Sequence, residues 1–151
     1  MDDFDRKIIG ELTIDGRISF RDLGRRIHLS PNAAAERVRR LQQAGVIRGF
    51  RALFDRARLG FAVEAYIDVK MQPSTTARSF EASVRRIPGI VSAAILTGEF
   101  DFRMRVACKD QSDLVRVIEA LRSEAGVQET SSALICREIE VNNTQDVSCV
   151  V

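Results

Sequence analysis

Histidine and cysteine are scarce in this sequence, with one His and three Cys among 151 residues. A zinc site needs several such ligands at close spacing, whereas His28 stands alone and Cys108, Cys136 and Cys149 form no C-x-x-C pair. We therefore expect free thiols in a reducing compartment and no bound metal. The sequence also lacks a nucleophile elbow and a glycine-rich phosphate loop, so it predicts neither an enzyme nor a cofactor.

Long hydrophobic runs are missing as well. No apolar stretch approaches the roughly 20 residues that a membrane helix needs, and the acidic start, MDDFD, is unlike a secretory signal. The composition, 45% hydrophobic and 29% charged, is that of a folded globular protein. The sequence predicts a cytoplasmic protein without a membrane partner.

The charges are distributed unevenly along the chain. Residues 1–60 contain 13 Lys and Arg against 8 Asp and Glu, and residues 61–151 contain 10 against 13. All eleven basic residues from Arg17 to Arg58 are arginines, and the planar guanidinium suits phosphate groups and guanine edges. Residues 1–60 are predicted to bind an anionic partner, and residues 61–151 are not.

The stretch 30–45, SPNAAAERVRRLQQAG, has the features of a capped amphipathic helix. Ser30 suits the N-cap, Pro31 the first helical position and Gly45 the stop. Three apolar residues recur at helical spacing on one side: Ala34, Val38 and Leu41. The polar and basic side is either a solvated face or a DNA-reading surface, and the helix alone does not decide between the two.

Two further helices are predicted before this one. Apolar residues at helical spacing mark a helix over residues 3–12 and a second helix that follows the N-cap candidate Ser19. A short turn at His28 separates the second helix from the third, which is the spacing of a helix-turn-helix. Residues 46–53 alternate apolar and basic side chains and are predicted to form a wing or linker strand, with a plain interdomain connector as the alternative. Residues 1–60 are thus predicted as a three-helix, winged helix-turn-helix domain.

The remainder of the chain alternates strands and helices in the order βαββαβ. The predicted elements are a strand over 64–71, a helix over 77–87, strands over 90–96 and 100–106, a helix over 112–124, and one or two strands over 127–141. This order predicts a ferredoxin-like α+β domain over residues 61–151, with both helices on one face of the sheet. The other face is expected to expose Tyr66, Val91, Ala93 and Ile95 and to pack against a second copy in a symmetric dimer.

The motifs RVRRLQQAGVIRGF, ARLG and TGEFDF, joined with these two domains, resemble the leucine-responsive regulatory protein (Lrp/AsnC) family of transcription regulators over residues 3–141. The resemblance implies a dimer that binds double-stranded DNA and assembles further into an octamer or another ring of dimers. It also implies a small-molecule effector, typically an amino acid, and hence a sequence-specific regulator whose activity or assembly responds to it. An architectural DNA-binding protein without an effector is the alternative.

Several positions depart from the family pattern. His28 stands where such proteins commonly have Gly, and Gly24 stands where Ala is usual. Because His tolerates the left-handed conformation better than most residues, we expect the turn to persist. Arg103 and Arg105 stand where apolar residues are expected, which leaves the identity of the ligand open.

The candidate DNA-binding residues lie on the third helix and beside it. Its polar side supplies the candidates for base contacts in the major groove: Asn32, Glu36, Arg39, Arg40 and Gln43. Ser30 completes the set at the start of the helix, and Arg37 lies nearer the apolar side, where it suits an intramolecular pair or a phosphate. Phosphate contacts, which position a protein without reading sequence, are expected from Arg25, Arg26, Arg48 and Arg51.

The candidate effector site is the segment TGEFD at 97–101. Gly98 can adopt a positive φ and expose neighbouring N–H groups to a carboxylate, and Asp101 can accept a hydrogen bond from an α-ammonium. An ordinary hairpin turn with one surface acid explains the same residues equally well. The family resemblance assigns ligand contacts to Thr97, Gly98, Glu99 and Asp101, with Phe100 between them and Thr130 and Ser131 on the last strand as further candidates.

Overall fold

The computed structural model describes residues 1–139. Within them, Met1–Leu53 and Phe54–Glu138 form two compact units. Residues 140–141 of the last predicted strand, and Cys149, lie outside the described residues. In the part of the chain that is described, no helix is long and apolar enough to span a membrane.

The first unit consists of three helices, α1 (Asp3–Ile14), α2 (Phe20–Ile27) and α3 (Pro31–Gln43). Their apolar sides meet in one small core, because each helix carries its aliphatic residues at helical spacing. The buried members are Ile8, Leu23, Ile27, Ala34, Val38 and Leu41. The predicted helix-turn-helix is confirmed, together with the apolar stripe of α3.

Local signals define the ends of α2 and α3. The Ser19 and Ser30 hydroxyls each accept a hydrogen bond from the backbone N–H three residues later, at 3.1 and 3.2 Å. Gly45 follows α3 with a left-handed φ of +72°. These caps satisfy backbone groups that helix ends leave without a partner, which is why the sequence predicts them.

The turn between α2 and α3 is tightly packed. His28 adopts the left-handed conformation, with φ 59°, as expected at a position where the family pattern has Gly. Gly24 of α2 lies so close to this turn that an added Cβ would be 2.6 Å from the Leu29 carbonyl oxygen. Gly24 therefore provides the space that the backbone after His28 occupies.

Residues 46–53 do not form the predicted wing or linker strand. Within residues 1–139, no strand precedes Val63. Gly49 has φ +149° in the middle of this segment, and the first unit is otherwise helical, so no neighbouring strand supplies backbone partners for a ladder. A short 3-10 helix, Ala57–Leu59, comes before the second unit's first strand instead.

The second unit contains four strands and two helices. In chain order they are β1 (Val63–Met71), α4 (Ala77–Val84), β2 (Ile90–Ile95), β3 (Phe102–Cys108), α5 (Gln111–Glu124) and β4 (Val127–Leu134). The strands form one antiparallel sheet in the order β2-β3-β1-β4, which confirms the predicted ferredoxin-like arrangement. Phe100, predicted as the start of β3, lies in the loop before that strand.

Both helices cover the same face of the sheet. Alternate residues of β1, namely Ala65, Ile67 and Val69, are fully buried in the core with residues of α4 and α5. Phe80 of α4 packs against Phe102 of β3, with ring centroids 4.4 Å apart. This face carries the apolar core of the unit, as the alternation in β1 predicts.

The opposite face, called the open face below, is not covered by α4 or α5, but its residues differ from the prediction. Tyr66 lies on the open face as expected and is 39% exposed. The prediction that Ala93 and Ile95 share this face is wrong, because both pair with β3 residues that are buried on the helix side. The register of β2 shifts around Val91, and a shift of one residue turns side chains to the other face. Ile95 is nevertheless 68% exposed, because β2 is an edge strand.

Candidate DNA-binding and effector sites

The outer side of α3 is polar and exposed to solvent. Asn32, Glu36, Arg39 and Gln43 are exposed there, and the Arg39 guanidinium pairs with the Glu36 carboxylate one turn earlier. The Ser30 hydroxyl is engaged in capping the helix. The exposed side chains offer both donors and acceptors, which is what reading base edges in the major groove requires.

Arg37 faces α1 and is engaged inside the unit. Its Nη1 donates to both Asp2 carboxylate oxygens, at 2.8 and 2.7 Å, and to Asp5 Oδ1 at 2.8 Å. The guanidinium also lies 5.2 Å from the centre of the Phe4 ring. The hydrogen bond from Arg37 holds the pKa of the Asp2 carboxyl below its usual value. Of the two roles that the sequence leaves open for Arg37, the structure contains the intramolecular pair.

Arg40 shares the carboxylate of Asp5 but keeps most of its side chain in solvent. Its Nη2 lies 3.2 Å from Asp5 Oδ1 and 3.4 Å from Oδ2, and its side chain is 59% exposed. Burial raises the pKa of Asp5, but the hydrogen bonds from the Asp2 N–H and from Arg37 together lower it by a larger amount, so the net shift is downward. The sequence analysis did not predict that Asp5 pairs with arginines of α3, because an acid in the first turn of a helix is ordinarily explained by the helix dipole.

The arginines beside α3 are all placed at the surface. Arg25 and Arg26 form ion pairs of 2.9 and 2.6 Å with acidic residues of α2 and α1. Arg48 and Arg51 are exposed in the segment after α3. Exposed ion pairs contribute little to stability, so the side chains of Arg25 and Arg26 can turn to a phosphate at small cost.

The segment 97–101 lies in the hairpin loop that connects β2, which ends at Ile95, with β3, which begins at Phe102. The Leu96 N–H donates to the Asp101 carbonyl at 2.9 Å and closes the loop. Residues 97–99 are exposed. Gly98 has φ +132°, and no heavy atom lies within 4 Å of a Cβ built on it. The loop therefore presents its backbone to solvent.

Asp101 attaches this loop to the sheet. Its N–H donates to the Val69 carbonyl at 2.9 Å, and its carboxylate Oδ2 accepts from the Met71 N–H at 2.7 Å. The pairing of β1 with β3 ends at Val69 and Phe102, so the carboxylate bonds a backbone N–H just beyond the end of that ladder. Within residues 1–139, Oδ1 of Asp101 has no hydrogen-bond partner.

The structure does not bring Thr130 and Ser131 together with this loop. Val69 of β1 pairs with Phe102 on one side and with Thr130 on the other, so a whole strand separates them, about 10 Å over two interstrand spacings. The Thr130 hydroxyl accepts from Arg122 of α5 at 2.8 Å on the helix side of the sheet. Ser131, the next residue along the strand, points to the open face.

Arg103 and Arg105 form a row of ion pairs on the open face. Arg103 makes a two-donor pair with Asp68, at 2.7 and 2.8 Å. Arg105 binds Glu64 at 2.8 Å and Glu138 at 2.6 Å. The hydrogen bonds that Arg105 donates to Glu138 and Glu64 raise the pKa of the guanidinium further above its usual value. Where the family pattern has apolar residues, this chain carries charges that neutralise one another.

Two family descriptions match the two halves of the chain. The AsnC-type helix-turn-helix domain matches residues 1–42. The Lrp/AsnC ligand binding domain matches residues 64–144. The chain belongs to the Lrp/AsnC family. Membership accounts for the order of the two units, a helix-turn-helix followed by a ferredoxin-like sheet.

Relatives in the Lrp/AsnC family are transcriptional regulators. The HTH-type transcriptional regulator Rv2324 of Mycobacterium tuberculosis is 34% identical over 135 residues, which are 89% of this chain and 91% of that one. The leucine-responsive regulatory protein of Escherichia coli is 30% identical over 146 residues, 95% of this chain and 89% of the relative.

Solved structures of the family superpose closely on this Lrp/AsnC chain. The transcriptional regulator NMB0573 of Neisseria meningitidis, in complex with L-methionine, has a TM-score of 0.90 at 30% identity and covers 100% of this chain and 99% of its own. The feast or famine regulatory protein of M. tuberculosis, also complexed with L-methionine, has a TM-score of 0.87 at 28% identity, covering 93% and 95%.

Proposed function

We propose that this Lrp/AsnC protein is a sequence-specific DNA-binding transcription regulator whose activity or assembly responds to an amino acid. The observation that carries the proposal is an arginine-bearing α3 with an exposed polar side, joined in one chain to a unit of the family's ligand-binding fold. Two solved relatives hold L-methionine, which supports an amino acid as the class of effector. Such a regulator acts on DNA in the cytoplasm and needs no catalytic group.

Base reading is assigned to the exposed side of α3. The second helix of a helix-turn-helix lies in the major groove with its N-terminal residues toward the bases. Asn32, near that end, suits adenine, and Arg39 and Arg40 suit guanine. Arg25 and the other surface arginines beside α3 are assigned to phosphates, where they add affinity without reading sequence.

The effector is assigned to the loop 97–101. The backbone around Gly98 is open to a carboxylate, and the unpartnered oxygen of Asp101 suits the α-ammonium. Thr130 and Ser131 lie one strand away from this loop in the same chain, so they join the site only when a second copy brings them there.

Self-association is assigned to the open face of the sheet. Arg103 and Arg105 are already paired with carboxylates of their own chain. A second copy can therefore cover these two arginines without leaving their charges unpaired, which is the costly outcome of burying a charge. Sedimentation equilibrium of the full-length protein measures its oligomeric state. The resemblance implies a dimer and an octamer or other ring of dimers.

Arg40→Ala tests the DNA assignment. An operator is selected from a random duplex pool with the full-length protein, and its affinity is measured by gel shift at fixed salt. We expect the substitution to weaken operator binding by about 1–3 kcal/mol, because it removes an arginine–base contact. Arg78→Ala, exposed on α4, removes the same charge from the other unit and serves as the control. Unchanged affinity of the Arg40 variant would remove it from the site, and a pool that yields no operator would contradict the function.

Asp101→Asn tests the effector assignment. Asparagine keeps an oxygen for the Met71 N–H but loses the charge that attracts an ammonium. The twenty amino acids are screened by thermal shift, and the shift of any hit should disappear in the variant while dimerisation and DNA binding persist. Glu119→Gln, exposed on α5, is the charge-matched control. A wild-type protein that no amino acid shifts would favour the architectural alternative.

A further inference from the structure

Asp5 is a charged residue buried inside the first unit, and its carboxylate connects two helices. It is 3% exposed. Its Oδ2 accepts from the Asp2 N–H at 3.1 Å, which completes the capping box of α1. Its Oδ1 accepts from Arg37 at 2.8 Å and from Arg40 at 3.2 Å, both on α3. A buried carboxylate is costly unless it is paired and hydrogen-bonded, and here two guanidinium groups of α3 supply the partners.

The two arginines use this carboxylate differently. Arg37 is 24% exposed and is bound by Asp2 as well as by Asp5. Arg40 is 59% exposed, and its hydrogen bonds within residues 1–139 go to Asp5 through Nη2 alone. Because Nη2 itself carries two N–H groups, one of them stays available beside either Nε or Nη1, which leaves a two-donor edge of Arg40 for a partner outside the chain.

We propose that Asp5 is a positioning residue that holds Arg40 in the orientation in which it reads DNA. The inference rests on the proposed DNA-binding function and adds a residue that controls sequence preference. A guanidinium held at one edge presents its other edge in a fixed direction, as a two-donor contact to guanine requires. Fixing a long side chain before binding also removes part of its ordering cost from the association step.

The burial of Asp5 makes an acid compatible with a DNA-facing helix. An exposed, unpaired carboxylate at this place would repel phosphate groups, whereas Asp5 is covered, and Arg37 and Arg40 together balance the charges of Asp5 and Asp2. Burial raises the pKa of Asp5, but the hydrogen bonds from the Asp2 N–H and Arg37 outweigh it and lower the pKa overall. The carboxylate is therefore ionised at neutral pH and can hold Arg40 throughout.

Asp5→Asn and Asp2→Asn form a matched pair of variants. Asp5→Asn keeps the shape of the side chain and removes the charge that holds Arg40. Asp2→Asn removes a charge from Arg37 only, and asparagine is an equally good N-cap. We expect Asp5→Asn to weaken binding to the selected operator about fivefold to twentyfold, a part of the loss expected for removing the arginine, and random duplex less than about twofold. Asp2→Asn should change both affinities by less than about twofold.

A double-mutant cycle with Arg40 separates positioning from folding. In an Arg40→Ala background, Asp5→Asn should lower operator affinity by less than about twofold, because no guanidinium is left to hold. An equal loss with and without Arg40, or equal losses for Asp2→Asn and Asp5→Asn in the wild type, would overturn the inference while leaving the proposed function in place. A wild type that selects no operator would instead contradict the function itself.

Circular dichroism and thermal denaturation establish that each variant is folded at the assay temperature. If Asp5→Asn is unfolded, Asp5→Glu replaces it, since glutamate keeps the charge and the capping box but moves the carboxylate by one methylene. The same loss of operator preference through Arg40 is expected for that variant. Wild-type operator preference in a folded Asp5→Glu protein would contradict a positioning role that depends on this geometry.

Discussion

Replacing Gly24 by alanine tests how closely α2 and the turn to α3 are packed. A Cβ built at Gly24 would lie 2.6 Å from the Leu29 carbonyl oxygen, 3.2 Å from the Ser30 carbonyl carbon and 3.3 Å from the Pro31 nitrogen. All three atoms belong to the backbone, so no side-chain rotation relieves the contact. The substitution therefore pushes the turn, and with it the start of α3, away from α2.

Two opposing effects set the size of the change in the free energy of unfolding. Alanine is favoured over glycine inside a helix by about 0.5–1 kcal/mol. Forcing an extra carbon into a well-packed region costs about 1–3 kcal/mol. Because the contact of 2.6 Å is far inside van der Waals distance, the second effect exceeds the first. We expect Gly24→Ala to destabilise the first unit by about 1–2 kcal/mol.

Gly10→Ala is the matched control, since Gly10 also lies in a helix but no heavy atom is within 4 Å of a Cβ added there. It should raise the free energy of unfolding by about 0.5–1 kcal/mol. Hydrogen exchange of the α1, α2 and α3 amides in the full-length protein, followed by mass spectrometry, measures local opening in both variants. Amides as well protected in Gly24→Ala as in Gly10→Ala would refute the close packing of the turn.

Two further predictions concern the second unit. Phe80→Ala should destabilise it by about 3–5 kcal/mol, because Phe80 is fully buried and packs on Phe102; an unchanged midpoint in urea denaturation would contradict this. The hydrogen bond from Arg103 lowers the pKa of Asp68 below its usual 3.8. The pair of Asp68 with Arg103 therefore contributes its full stabilisation above the unfolded-state pKa of Asp68. This stabilisation is lost as the pH falls through the lower folded-state pKa of the same carboxyl. Asp68→Asn should therefore flatten the decline in stability below about pH 4, and an identical acid profile would exclude this contribution.

Elements with strong local signals could be predicted from the sequence. The hydroxyls of Ser19 and Ser30 begin α2 and α3 where their cap positions predict, and Gly45 follows α3 as its stop. The alternation along β1 identifies the buried side of that strand correctly. Each of these signals depends only on residues close together in the sequence, so the sequence alone is sufficient to predict the helix ends and the buried side of the strand.

Features that depend on contacts between distant segments could not be predicted. The register shift at Val91 could not be predicted from the sequence. Ser92, Ala93 and Ala94 are all small, so the residues on the two faces of β2 do not differ clearly in size. Asp5 is buried by arginines that lie 32 and 35 residues away in the sequence. Residues 46–53 have the alternation of a strand, but no strand lies beside them within the described first unit.

The candidate sites show the same division. The exposed side of α3 follows from helical periodicity, so Asn32 and Gln43 lie at the surface as the sequence predicts. The pairing of Arg37 with Asp2 depends on how α1 crosses α3, which one sequence does not display. The separation of Thr130 from the loop 97–101 depends on strand order, which is a property of the whole sheet.

His28 is the single histidine of the chain, and it is exposed at the turn that leads into α3. Its imidazole C–H protons therefore give one pair of proton NMR signals that no other residue of the protein can produce. If DNA binds along α3 as proposed, a phosphate beside that ring would change its local field, and the pair would move on binding without any label being introduced. The residue that departs from the family's usual glycine thus supplies the protein with an intrinsic spectroscopic probe of DNA engagement.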